Sequence, residues 1–147
     1  MINIKPNAKE IIITDAISSF PDECCGFFYG VEDAEGNRTI TNVLVVNNAK
    51  EGDKRKRFEI SAKDYLKAEQ FADEHKLQFL GVYHSHPNHP AVPSETDRLS
   101  AQPYFSYIII SVYDGALKDI RSWTLNESFQ FDEEIVNSLK NIEELIE

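Results

Sequence analysis

The stretch HSHPNHPAVPSETD, residues 84 to 97, holds three of the chain's four histidines and two acids, Glu95 and Asp97. In an extended strand the side chains of i and i+2 share a face, so His84 and His86 present two imidazoles side by side while Ser85 turns away. Two neutral ring nitrogens suit zinc, and a third ligand must arrive from another direction to build a tetrahedron. Asp97, carried by the next helix and folded back by the proline-rich loop, is the candidate. Two histidines and one carboxylate leave a fourth position to water. That is the arrangement of a catalytic site, in which the metal lowers the pKa of the water towards neutrality.

The same residues support quieter readings. His-x-His pairs occur in strands that bind nothing, and Ser94-Glu95-Thr96-Asp97 reads equally as a capping box with Asp in place of Glu. Both readings of Asp97 can hold, since an acid placed by a cap is held rigidly. His89, flanked by Asn88 and Pro90, and Ser85 are candidates to support the ligands rather than to bind metal. Hydrolysis also needs a proton acceptor that stays off the metal. Glu23 follows Pro21-Asp22 and opens an apolar strand, where a carboxylate is partly shielded and its pKa rises. A solvated acid at a turn is the competing reading of Glu23, and Asp22 and Glu95 are alternatives that spacing leaves open.

The elements that must position these groups follow from hydrophobic period. Asn7 to Phe20 carries Ile11, Ile12, Ala16, Ile17 and Phe20 on a helical stripe that Pro21 stops. CCGFFYG, residues 24 to 30, and RTITNVLVVNN, from Arg38, are two strands of a hairpin turning near Gly36. A polar loop, residues 48 to 57, leads to a short strand at Phe58 to Ile60. Ser61 then caps a helix to about His75, with Tyr65, Ala68, Phe71 and Ala72 inward. LQFLGVYHS is a buried strand ended by Pro87, a short helix runs from Ser94 to about Gln102, and SYIIISVY is a central strand. Asp114-Gly115 turns the chain into DIRSWTLN, a second hairpin. Residues 132 to 146, with Ile135, Leu139, Ile142, Leu145 and Ile146 in helical spacing, are expected to form a C-terminal amphipathic helix. The whole predicts a single domain over residues 1–147 of α/β (α+β) class, one mixed, curved, largely antiparallel β-sheet flanked by helices.

Composition removes several function classes. Fifteen cations against 25 acids give a net charge of −10, which repels nucleic acid and anionic membranes. No apolar run is long enough for a membrane helix, and MINIKPNAKE lacks the features of a signal peptide, so a cytoplasmic protein is expected. The two cysteines, Cys24 and Cys25, are adjacent, fit a reducing compartment, and form no CxxC pair of the kind nucleobase deaminases use.

Taken together, PDECCGFFYG with Glu23, GVYHSHP with His84 and His86, and PSETD with Ser94 and Asp97 resemble the JAMM motif of the MPN-domain (JAB-type) zinc peptidases. That motif is an upstream Glu, His-Ser/Thr-His-Pro, and Ser-x-x-Asp, with ten residues between the second His and the Asp, as here. The resemblance covers roughly residues 5 to 125. It implies the MPN/JAB, cytidine-deaminase-like architecture and one catalytic zinc on His84, His86 and Asp97. It further implies Glu23 as general base then acid, and Ser94 as an oxyanion donor, a role that competes with capping for one hydroxyl. The short bacterial Mec-type members are the most similar, and their substrates imply a ubiquitin-like, sulfur-carrier type protein whose C-terminal amide or isopeptide bond is cut. Lys54, Arg55, Lys56, Arg57 and Phe58 lie where the family pairs with the substrate's extended tail, a candidate clamp by β-augmentation. Two alternatives stay open on sequence alone: a non-catalytic MPN scaffold and a small-molecule amidase. Oligomeric state is not encoded legibly.

Overall fold

The computed structural model describes residues 1–138. Eight strands form one mixed sheet in the order β7-β6-β5-β4-β2-β3-β1-β8. They are β1 (Ile2–Ile4), β2 (Cys25–Glu32), β3 (Arg38–Val46), β4 (Gln78–Pro87), β5 (Ser106–Tyr113), β6 (Ala116–Leu125), β7 (Phe131–Glu134) and β8 (Val136–Ser138). Helices α1 (Pro6–Ser19), α2 (Ala62–His75) and α3 (Glu95–Ser100) complete the described elements. β2 pairs antiparallel with β3 and β4, and β6 with β5 and β7, while β4 to β5 and both pairings of β1 are parallel. The sheet curls until β6 and β8 touch, so the expected mixed, curved sheet is present.

Two cores fill its two faces. On one, Ala8, Ile12 and Ala16 of α1, spaced four residues apart and therefore on one helical face, pack against Phe28, Leu80, Tyr83 and Ile108. Ile11 and Ile17, expected to share that stripe, are about two-fifths exposed. On the other face, Ala68 and Ala72 of α2 lie over Phe27, Tyr29 and Val82, with Tyr65, Phe71 and Phe79 adding edge and tilted ring contacts. α2 begins where expected, the Ser61 side chain accepting from the Asp64 amide at 3.1 Å. At Gly81 a Cβ would sit 1.9 Å from the Ser106 carbonyl oxygen, so glycine is what lets β5 approach β4 here.

The parallel step from β4 to β5 positions the site. Parallel neighbours need a crossover, and here it is residues 88–105, which carry α3 over the C-terminal end of β4. The loop is fastened to the sheet behind it: Asn88 donates to the Val112 carbonyl, the Ser111 hydroxyl to the His89 carbonyl, and the Trp123 indole to the Ala91 carbonyl at 3.0 Å.

Three expectations are corrected. Residues 131–138 are not the start of a C-terminal helix: Phe131–Glu134 pairs with β6 and Val136–Ser138 with β1. Open backbone groups on both edges recruit this segment, outweighing its helical spacing, and Ile135 is 73% exposed instead of buried. Leu139, Ile142, Leu145 and Ile146 lie outside the described residues. Phe58 to Ile60 is not a strand; of its backbone, Glu59 alone pairs with a neighbouring chain segment, through Ala49 and the Asn48 side chain. β1 was not expected, although its inward Ile2 and Ile4 alternate around Asn3.

Candidate metal and active site

Strand parity does what the sequence suggests. His84 and His86 project from one face of β4, their Nε2 atoms 3.0 Å apart, and each lies 3.2 Å from Asp97 Oδ2. His84 and His86 are buried and Asp97 nearly so. Ser85 points the other way, where its hydroxyl accepts from the Cys24 amide at 2.8 Å and holds the start of β2 against β4.

Asp97 is both cap and cluster member. The Ser94 hydroxyl accepts from the Asp97 amide at 3.1 Å, and Asp97 Oδ2 accepts from the Ser94 amide at 2.8 Å. The capping box thus aims the oxygen that faces the histidines. It uses the Ser94 hydroxyl as an acceptor, and a hydroxyl that accepts still carries a proton to donate.

The donor set fits a small cation. A carbonyl can only accept, so the 2.8 Å contact between His86 Nδ1 and the Pro90 carbonyl places a ring proton on Nδ1, and in the neutral imidazole Nε2 then carries the lone pair. That lone pair and a carboxylate oxygen lie 3.2 Å apart, and the second imidazole nitrogen completes a nearly equilateral triangle with them. Tetrahedral bonds of about 2.0–2.1 Å, as zinc makes to nitrogen and oxygen, give ligand-to-ligand edges of about 3.3 Å. The observed separations of 3.0, 3.2 and 3.2 Å are close to that. Histidine Nε2 atoms in the set disfavour calcium and magnesium, which take oxygen. One feature departs from the usual pattern of a metal-binding histidine: His84 Nδ1 is buried with no hydrogen-bond partner among the described residues. Its ring is held by stacking on Phe58, centroids 4.4 Å apart and 23° from parallel.

Electrostatics agree with the geometry. Burial works against the Asp97 charge, but the two imidazoles and the Ser94 amide outweigh it and hold the carboxyl far below its usual range. Burial pushes His84 towards its neutral form. His86 is desolvated too, yet Asp97 and the Pro90 carbonyl raise its affinity for a proton. The cluster therefore favours positive charge beside the Asp97 carboxylate.

Glu23 lines a cavity of about 880 Å³ whose walls also include both histidines, Ser94, Asp97, Phe58 and Tyr107. It is 7% exposed, and burial raises its carboxyl to about 8, with His86 pulling down and Asp97 pushing up. Asp22 and Glu95, the alternatives, do not line this cavity. Of the candidate clamp, Lys56, Arg57 and Phe58 line it, whereas the Arg55 side chain is turned out to Asp53 and Lys54 contributes its carbonyl to the Glu23 amide at 2.7 Å. His89 is exposed at the cavity mouth. Sequence reasoning passed over Asn48, whose amide ties the polar loop to Glu23; an asparagine just after a strand was the available signal.

Comparisons with known proteins identify the family. A desampylase from Haloferax volcanii is 33% identical, the match covering 86% of this chain and 90% of the relative. A CysO-cysteine peptidase from Mycobacterium tuberculosis is 25% identical over 83% of this chain and 81% of its own. The solution structure of a protein from Desulfitobacterium hafniense superposes with a TM-score of 0.82 at 28% identity, covering 94% of this chain and 92% of that one. The model of the prokaryotic homologs of the JAB domain matches residues 6–126. That match runs from the first residue of α1 to just past β6, taking in Glu23 and the whole His84-to-Asp97 stretch, and the chain belongs to the prokaryotic JAB family.

Proposed function

We propose that the protein is a zinc-dependent peptidase that hydrolyses an amide or isopeptide bond at the C-terminal tail of a ubiquitin-like protein of sulfur-carrier type. The observation that carries the reading is the convergence of His84, His86 and Asp97 in one cavity with a buried carboxyl, Glu23. Zinc bound there supplies a Lewis acid that makes a water nucleophilic near neutral pH.

The chain's own residues do the rest. Glu23, kept off the ligand set and desolvated, takes the proton from the attacking water and returns it to the leaving amine. The free proton of the Ser94 hydroxyl is directed to the carbonyl oxygen, where charge develops. His86 is oriented by Pro90 and His84 by Phe58, so the ligand wall is set before substrate arrives. Lys56, Arg57 and Phe58 line the path an extended tail takes to the cluster. The names of the relatives, a desampylase and a CysO-cysteine peptidase, support a ubiquitin-like substrate. Among the described residues no helix is long and apolar enough to cross a membrane.

The test is metal analysis of the purified protein together with hydrolysis of a carrier ending in Gly-Gly-Cys. Stoichiometric zinc, release of cysteine, and loss of release in a Glu23→Ala variant are expected. Full activity in that variant would sink the assigned mechanism, and absence of zinc would favour a non-catalytic binding domain.

A further inference from the structure

We propose that Asn48 is the positioning residue of the base, fastening loop 48–59 to Glu23 so that a tail laid on the loop is registered against base and metal site together. The inference rests on the reading of Glu23 as the base. Asn48 stands two residues after β3, and its side-chain amide uses all of its hydrogen-bonding capacity. Nδ2 donates to the Glu23 carbonyl at 3.1 Å and to the Arg57 carbonyl at 3.0 Å. Oδ1 accepts from the Lys50 and Glu59 amides, both at 3.0 Å. The partners leave no doubt which amide atom is which, since carbonyls need the nitrogen and amides need the oxygen.

Three consequences follow from those four bonds. Lys50 and Glu59 stand near the two ends of the loop, and the Asn48 side chain closes it together with the Ala49 amide, which donates to the Glu59 carbonyl at 2.8 Å. Closing it presents the Lys54 carbonyl to the Glu23 amide at 2.7 Å, so Glu23 is gripped through both its carbonyl and its amide. The bond to Arg57 fixes the residue next to Phe58, whose ring stacks on His84 at 4.4 Å. The loop therefore touches the base on one side and a ligand on the other, and Asn48 is the single side chain common to both attachments. Glu23 precedes the first paired residue of β2, Cys25, and the sheet's last hold before it is at Cys24, whose carbonyl accepts from the Ser85 amide at 3.2 Å; beyond that bond Glu23's own backbone groups are held by the loop. Aspartate has the shape and the acceptors of Asn48 but no donors, and it sets a carboxylate against two carbonyls. Alanine removes both halves.

The experiment compares Asn48→Asp and Asn48→Ala with wild type, and with the same changes made on Glu23→Gln, using zinc-loaded full-length protein. On a Gly-Gly-Cys carrier both single variants are expected to lose about tenfold to a hundredfold in kcat, the range for residues that orient catalytic groups, with KM and zinc content little changed. On Glu23→Gln the residual rate should not fall further, because Asn48 acts through Glu23. Equal losses in both backgrounds, or loss of zinc, would make Asn48 a structural residue and overturn the inference. A second readout needs no substrate: by NMR, the Glu23 amide should exchange about tenfold or more faster in Asn48→Ala, while the Cys24 amide, bonded to Ser85, keeps its protection. If wild type fails to cleave the carrier but the Glu23 amide is released in this way, the peptidase reading falls and the tether stands. Unchanged exchange overturns the tether whatever the activity.

Discussion

The two walls of the cavity are built by different means. The ligand wall comes from fourteen consecutive residues, His84 to Asp97: strand parity aims two imidazoles, a fastened crossover returns the chain, and a capping box aims the carboxylate. The base wall comes from pieces far apart in sequence, Glu23 and loop 48–59, joined by one asparagine and one backbone hydrogen bond. The ligand wall is preorganised by the sheet and needs nothing from the loop except the Phe58 ring on His84. The base wall meets the sheet only at Cys24, on Ser85 of β4, and otherwise stands on a few polar bonds to the loop. Metal binding and proton transfer should therefore be separable by mutation.

The largest effect should come from the ligand wall. Asp97→Ala removes a ligand and the cap's acid together, and zinc content by atomic absorption should fall well below one per chain with no detectable hydrolysis. Retained stoichiometric zinc would show that the set has been misassigned. Ser94→Ala sharpens the comparison because Ser94 serves both helix and cavity. It should lower kcat by about a hundredfold or more, as loss of one oxyanion donor does. It should also cost about 1 kcal/mol of stability through the lost cap, read as a lower Tm. Ser94→Thr keeps the acceptor and the donor and should recover most of both.

Glu23 gives a smaller effect with a definite sign. Its carboxyl is ordinary in the unfolded chain and rises to about 8 in the metal-free fold, where burial is the main cause. The fold thus binds a proton that the unfolded chain has already lost, and stability of the metal-free protein should fall as pH rises from about 4.5 towards about 8. Glu23→Gln should flatten that decline, measured by urea unfolding at several pH values, and should make the metal-free protein more stable than wild type at pH 8. An unchanged pH dependence would place the proton elsewhere. The smallest effect is expected at the contact between the walls: Phe58→Leu keeps apolar cover but loses the stack on His84, and should loosen zinc by about tenfold or less.

How much of this could be read from the sequence follows the same division. His84, His86, Asp97 and the α3 cap were legible because each depends on local periodicity: two residues per strand repeat, three from cap to acid. Glu23 was visible as a buried-strand acid, but its place opposite the cluster required the whole motif. Asn48 was legible only as a turn-forming asparagine after a strand, since its four partners span residues 23 to 59 and nothing in an Asn-Asn pair says which carbonyls will face it. The segment after Gln130 misled because its helical spacing is real while the edges of β6 and β1 that capture it are made by distant residues. The unpartnered Nδ1 of His84 is likewise a property of packing alone.

The claim that ligand wall and base wall are separate is tested most directly by measuring bound zinc and turnover of a Gly-Gly-Cys carrier on one preparation each of wild type and Glu23→Gln. Expected are one zinc per chain in both proteins and a kcat lower by about 10²–10⁴ in the variant, the usual contribution of a positioned general base. Equal turnover in the two proteins, or zinc lost along with the carboxylate, would contradict it.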